Sequence, residues 1–242
     1  MHNKTVVVEG NIGAGKTTLL NMLKQYISLS VVPEPLSWWQ KKTQGRSILD
    51  NFYDDPKRWS YTFQMYALMT HMVQQKQCQI KNKEQLQFVE RSIFSYNHCF
   101  TKNCYEQNLL NDVEWRLYQE SFASIAQDET LLPDIVIYLR TEPEVSYGRL
   151  QQRARAEEST VTLQYLMQLH QKYEKMFEKE AVVWQNKHIP VITICADREF
   201  EKNVVRKEQI VDEIIKACGL IALENSAYNK GIKIKTTDLF KQ

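Results

Sequence analysis

Apolar residues along this chain gather in two kinds of pattern. Short runs rich in Val and Ile stand at residues 6–8, 31–32, 88–89, 135–139 and 191–194. Unbroken apolar runs of this length, bounded by polar residues, predict strands buried on both faces of a parallel sheet. Between them, apolar positions recur at helical spacing. The stretch 56–80 opens on a proline and carries Phe63, Tyr66, Ala67, Met69 and Val73, and 162–179 repeats the pattern with Leu163, Leu166, Leu169, Tyr173 and Phe177. Strands alternating with helices predict an α/β fold, a five-stranded parallel sheet with helices on both faces. After Gly219 the helical period is lost, so residues 1–218 are expected to form one domain and 219–242 a loosely held extension.

The first apolar run leads directly into a glycine-rich turn, EGNIGAGKTT at 9–18, and then into Leu19, Leu20, Met22 and Leu23. Strand, bare loop, helix is the context a phosphate loop requires. Gly10, Gly15, Lys16 and Thr17 satisfy G-x-x-x-x-G-K-[ST]. Glycines let backbone N–H groups face a polyphosphate, the lysine reaches its outer phosphates and the hydroxyl ligates Mg²⁺. The helix adds its positive N-terminal end. Gly10, Asn11, Ile12, Gly13, Ala14, Gly15, Lys16, Thr17 and Thr18 are therefore the candidate nucleotide-binding residues.

Composition narrows the partners. The 242 residues suffice for one good-sized core, and nothing forces a second domain. Lys and Arg number 31 against 29 acids, a net charge of +2, so no overall field calls for nucleic acid or a membrane surface. The five cysteines are odd in number and show no C-x-x-C pair, which argues against a disulfide framework or a zinc site and fits a reducing compartment. Little chain precedes the first strand and no apolar run approaches membrane-spanning length. The expectation is a cytoplasmic protein, or a mitochondrial one if a presequence has been removed.

Ligands of such sheets sit beyond the carboxyl ends of the strands. There the chain carries Glu34 and Pro35, then Glu90, Arg91 and Ser92, then Arg140 and, one helix later, Arg149, Arg153 and Arg155. The spacing R-x-x-x-R puts Arg149 and Arg153 on one helical face, where a polyanionic partner would relieve their repulsion. Five stretches in order, EGNIGAGKTT at 9–18, EP at 34–35, DPKRWSYTFQMY at 55–66, ERSIFS at 90–95 and YLRTEPEVSYGRLQQRARAEES at 138–159, resemble the deoxyribonucleoside kinase family. That family includes deoxycytidine and deoxyguanosine kinases, mitochondrial thymidine kinase and the insect multisubstrate enzyme. The resemblance covers roughly residues 4–217.

The resemblance implies a P-loop kinase fold with an arginine-rich lid, a homodimer, and transfer of the γ-phosphate of ATP to the 5′-hydroxyl of a deoxynucleoside in nucleotide salvage. It makes Glu34 the base, places Arg91 near the 5′-oxygen, and gives Mg²⁺ to Thr17 and Glu90. Arg149, Arg153 and Arg155 would form the lid over ATP, and 197–200, with Glu199 and Phe200, would cover the adenine. For the acceptor it assigns Gln64 to the base edge, Phe63 and Phe100 to its faces, Trp39 to the wall, and Tyr53 with Glu158 to the 3′-hydroxyl. Aromatic residues of this kind equally serve as ordinary core.

The chain departs from the family where base choice is made. His71 and Tyr96 stand where purine and deoxycytidine users carry an arginine and an aspartate, and Ala67 agrees only in part with the thymidine users. Without that charged pair, thymidine and deoxycytidine are expected to be favoured, with purines the alternative. A thymidylate kinase shares loop and lid but shows D-R-[YF] where this chain has Glu90, Arg91 and Ser92. A non-catalytic nucleotide-binding module would have no use for Glu34 and three lid arginines.

Overall fold

A computed structural model describes residues 4–81, 86–154, 158 and 160–218. The Val-rich runs form strands because β-branched side chains pack well on both sides of a covered sheet. In chain order the elements are β1 (Lys4–Glu9), α1 (Lys16–Tyr26), β2 (Ser30–Val32), α2 (Leu36–Trp39), α3 (Ile48–Asp54), α4 (Pro56–Lys81) and β3 (Leu86–Glu90). Next come α5 (Ile93–Ser95), a π-helical segment (Tyr96–Thr101), α6 (Lys102–Glu106), α7 (Asp112–Ala126), a 3₁₀ turn (Glu129–Leu131) and β4 (Ile135–Arg140). The described part closes with α8 (Pro143–Arg153), α9 (Leu163–Met176), β5 (Ala181–Trp184), β6 (Lys187–Cys195) and α10 (Val204–Ala217).

The strand order is β2-β3-β1-β4-β6-β5. The five expected strands run parallel, but the sheet has six: β5 adds antiparallel to β6, pairing Trp184 with Lys187 and Ala181 with Pro190. The joining residues Gln185 and Asn186 both have positive φ, 49° and 62°, as a two-residue hairpin turn of matching twist requires. Four residues at a sheet edge, alternately exposed and buried, carry too weak a periodic signal to announce a strand.

Alternate residues of β4 serve the two faces. Ile135, Ile137 and Leu139 meet α1 and α10 through Leu19, Leu23, Ile210 and Ile214. Val136 and Tyr138 meet the layer of α4, α7 and α9 through Leu68, Tyr118 and Tyr173. The parallel register, with Val8 beside Glu90 and Glu9 beside Tyr138, brings the strand ends to one edge. The strand order reverses beside β1, with β3 and β2 on one side and β4 and β6 on the other, the switch point where such sheets open a crevice. Residues 219–242, expected as an extension, lie outside the described residues. Among the described residues no helix is long and apolar enough to cross a membrane.

Candidate active site

The loop after β1 is clamped from both sides. A β-carbon on Gly10 would meet the Leu139 carbonyl oxygen at 2.7 Å, and one on Gly13 the Ser146 carbonyl oxygen at 2.7 Å, so only glycine lets β4 and α8 approach this closely. Asn11 braces the loop: its Nδ2 donates to the Leu166 carbonyl at 2.9 Å and its Oδ1 accepts from the Ile12 N–H at 2.9 Å. Lys16 Nζ is buried and donates to the carbonyls of Gly10 at 3.1 Å and Asn11 at 2.9 Å. Burial, with the nearby Arg91 charge, brings its ammonium down to about 8. The Thr17 hydroxyl donates to Glu90 Oε1 at 2.7 Å.

Arg91 follows β3 in a left-handed conformation, φ 70°, fixed by its N–H on the Val8 carbonyl. A non-glycine residue held there is under strain, which such sites tolerate when it aims a side chain. The guanidinium donates through Nε to Glu34 Oε1 at 2.8 Å and through Nη1 to the Gly10 carbonyl at 3.2 Å, contacts the Tyr173 hydroxyl, and lies 4.5 Å over the Phe100 ring. Burial alone would raise the Glu34 carboxyl, but Arg91 and Lys16 outweigh it and hold the group below the usual carboxylate range. Behind Arg91, Ser92 donates to the fully buried Glu9 at 2.5 Å; burial pushes that carboxyl up, against the pull of Arg91.

Loop, acids and aromatic residues open on one cavity of about 500 Å³. Its lining includes Ile12, Gly13, Gly15, Lys16, Thr17, Thr18, Glu90, Arg149 and Arg153 at the phosphate-loop end, with Glu34 and Arg91. It also includes Trp39, Tyr53, Phe63, Gln64, Tyr96, Phe100 and Glu158. Trp39 meets Phe63 edge-on at 5.4 Å and donates to Thr70 at 2.9 Å. Gln64 accepts from Thr101 at 3.2 Å and lies 3.7 Å from the Cys104 sulfur. Burial and the Glu158 charge push the Tyr53 phenol up, as expected for two groups facing one end.

Other expected residues are placed or held differently. Ala67, 1% exposed, lies behind the wall and not on it. Gly10, Asn11 and Ala14 contribute backbone and bracing but do not line the cavity. Arg149 donates to the carbonyls of Ala14, Ala196 and Asp197, tying the loop to the end of β6. Arg153 grips Glu158 with contacts of 2.5, 2.6 and 3.1 Å. Arg155 lies outside the described residues. Glu199 caps its own turn on the Lys202 N–H, and Glu201 reaches the cavity instead. Phe200 is buried against the loop, within 3.3 Å of where a β-carbon on Gly15 would stand.

Sequence reasoning misses Leu36, Leu49, Phe52, Gln152, Tyr165 and Glu201 among the lining. Leu49 and Phe52 had a signal. Ser47 and Asp50 form a reciprocal capping box that starts α3, and S-x-x-D is readable in the chain. Tyr165 comes in from α9, far along the chain, with no local mark.

Known proteins give the same picture. The family model for deoxynucleoside kinases matches residues 6–219. The chain is 37% identical over 236 residues to a mitochondrial deoxyguanosine kinase of Xenopus laevis, an alignment covering 88% of this chain and 89% of that protein. It is 36% identical over 215 residues to a probable deoxycytidine kinase of Fowlpox virus, covering 88% and 87%. It is 31% identical over 235 residues to human deoxycytidine kinase (Homo sapiens), covering 87% and 89%. With a phosphate loop, a Glu–Arg pair and an aromatic wall around one cavity, and with the family match running over residues 6–219, this chain belongs to the deoxynucleoside kinase family.

Proposed function

We propose that this kinase transfers the γ-phosphoryl group of ATP to the 5′-hydroxyl of a deoxyribonucleoside in nucleotide salvage, preferring thymidine and deoxycytidine. The observation that carries the reading is Glu34, which Arg91 holds at 2.8 Å in a cavity bounded by both the phosphate loop and the aromatic wall. A carboxylate so held is ionised at neutral pH and can accept the hydroxyl proton, while the loop and Lys16 hold the donor phosphates in line. Arg91 steadies the same oxygen, and Arg149 and Arg153 offer charge over the donor. Thr17 and Glu90 supply two hard oxygen donors beside the loop, a set that suits Mg²⁺, which takes few protein oxygens with phosphate and water. When bound there, Mg²⁺ neutralises charge on the phosphates.

At the acceptor end Gln64 presents both a donor and an acceptor to a base edge. Tyr96 and a fully buried His71, which burial pushes down to about 4 and so keeps neutral, replace the charged pair that would select an amino-bearing base. Tyr96 also fills volume a purine's second ring needs. The test is kcat/KM for four deoxynucleosides and thymidylate, with ATP and Mg²⁺. Thymidine and deoxycytidine should lead. Deoxyguanosine or deoxyadenosine leading would overturn the base preference, and turnover of thymidylate alone would overturn the nucleoside acceptor.

A further inference from the structure

Glu34 has a second hydrogen-bond donor. The Tyr96 hydroxyl reaches Glu34 Oε1 at 3.2 Å, the oxygen that Arg91 Nε meets at 2.8 Å. Two donors converging on one carboxylate oxygen restrict its rotation far more than one. The phenol stays protonated, because burial pushes its ionisation well up and the Glu34 charge adds to this, so toward Glu34 it acts only as a donor.

Tyr96 is itself held rigidly. It is 3% exposed, and its ring meets His71 at 5.3 Å, Trp39 at 6.1 Å and Phe100 at 6.1 Å, two of them edge-on. Its carbonyl accepts from the Thr101 hydroxyl at 2.8 Å, across the π-helical segment that Tyr96 opens. Such wide turns break the α-helical phase and are frequent where a side chain must be aimed. The ring lines the cavity beside Trp39 and Phe100 while the hydroxyl lies on Glu34. One side chain thus spans the aromatic wall and the acid.

We infer that Tyr96 is a positioning residue for Glu34: its hydroxyl, with Arg91, sets the carboxylate toward the 5′-hydroxyl, and its ring links that setting to the packing of the nucleoside pocket. This rests on Glu34 as the proton acceptor. A short aspartate at position 96 could not be both wall and tether, so the tyrosine gives this chain a connection between acceptor fit and turnover.

The test compares Tyr96→Phe, Glu34→Gln and the double variant with the unaltered enzyme, with nucleoside binding followed by calorimetry to show that each pocket is intact. Tyr96→Phe keeps the ring and removes only the hydroxyl. It should lower kcat roughly tenfold, a part of the roughly 10²-fold or more that the acid–base group itself supplies, with KM changed less than about twofold. In the Glu34→Gln background the same change should cost almost nothing further, since its effect runs through the carboxylate. If Glu34→Gln lowers kcat but Tyr96→Phe leaves it intact, or multiplies the Glu34→Gln loss in full, the positioning role is overturned and Glu34 keeps its own. If Glu34→Gln leaves kcat unchanged, the proton-acceptor reading falls and the positioning role with it.

Discussion

Lys16 and His71 are buried, Glu34 keeps a partly exposed carboxylate, and each serves a different purpose. Lys16 sits among carbonyls of its own loop, where it can be handed to phosphate oxygens. Lys16→Ala should therefore lower kcat by about tenfold or more, while the fold, measured by circular dichroism, survives. Glu34→Gln keeps the shape and removes the proposed proton acceptor, so kcat should fall by roughly 10² with nucleoside KM little changed. His71 belongs to stability. Burial lowers its ionisation from 6.5 to about 4, so the unfolded chain binds a proton more readily between these values. Its contribution is complete above about pH 7 and declines as pH falls toward 4, costing about 2 kcal/mol by pH 5. Urea midpoints at pH 7 and pH 5 should separate more in the unaltered protein than in His71→Gln.

At the scale of elements, short helices carry much of the pocket. α3 is seven residues long, too short to persist alone, and begins with the Ser47 capping box, Asp50 N–H to Ser47 Oγ at 3.0 Å and Ser47 N–H to Asp50 at 2.9 Å. It brings Leu49, Phe52 and Tyr53 to the cavity, with Phe52 stacked on Phe63 at 4.6 Å. Ser47→Ala should cost about 1 kcal/mol of stability in urea unfolding. Because the frayed helix carries pocket walls and none of the phosphate machinery, nucleoside KM should rise more than kcat falls. A fall in kcat alone would mean that α3 does not shape the acceptor end. The phosphate loop and long helices were legible because their signals are local: three glycines within six residues, or an apolar stripe over many turns. α3 and the edge strand β5 are short, so their periodicity is weak and only their caps and turns mark them.

At the scale of the molecule, one face of α4 is left uncovered by the described residues. Tyr66 and Met69, 39% and 41% exposed, stand three residues apart, and Ile80 lies further along the same face at 85% exposed. An apolar strip on the longest helix fits the homodimer that the family resemblance implies. Sedimentation at micromolar concentration should give a dimer, and Tyr66→Glu with Met69→Glu should give a monomer. A monomer from the unaltered chain would contradict this.

The amino-acid order alone determined the α/β alternation, the phosphate loop, the acids at the strand ends and the spacing of Arg149 and Arg153 on α8, because each depends on neighbours within one turn or one strand. Tertiary structure decided how those residues are used. It placed Arg149 on backbone carbonyls and Arg153 on Glu158, set Ala67 behind the wall, exchanged Glu199 for Glu201, and brought Tyr165 from α9 into the lining. It also laid the Tyr96 hydroxyl on Glu34, a contact between residues 62 positions apart. Such outcomes depend on how layers close on one another and on which partner satisfies each buried polar group, and neither is written in any local stretch of chain.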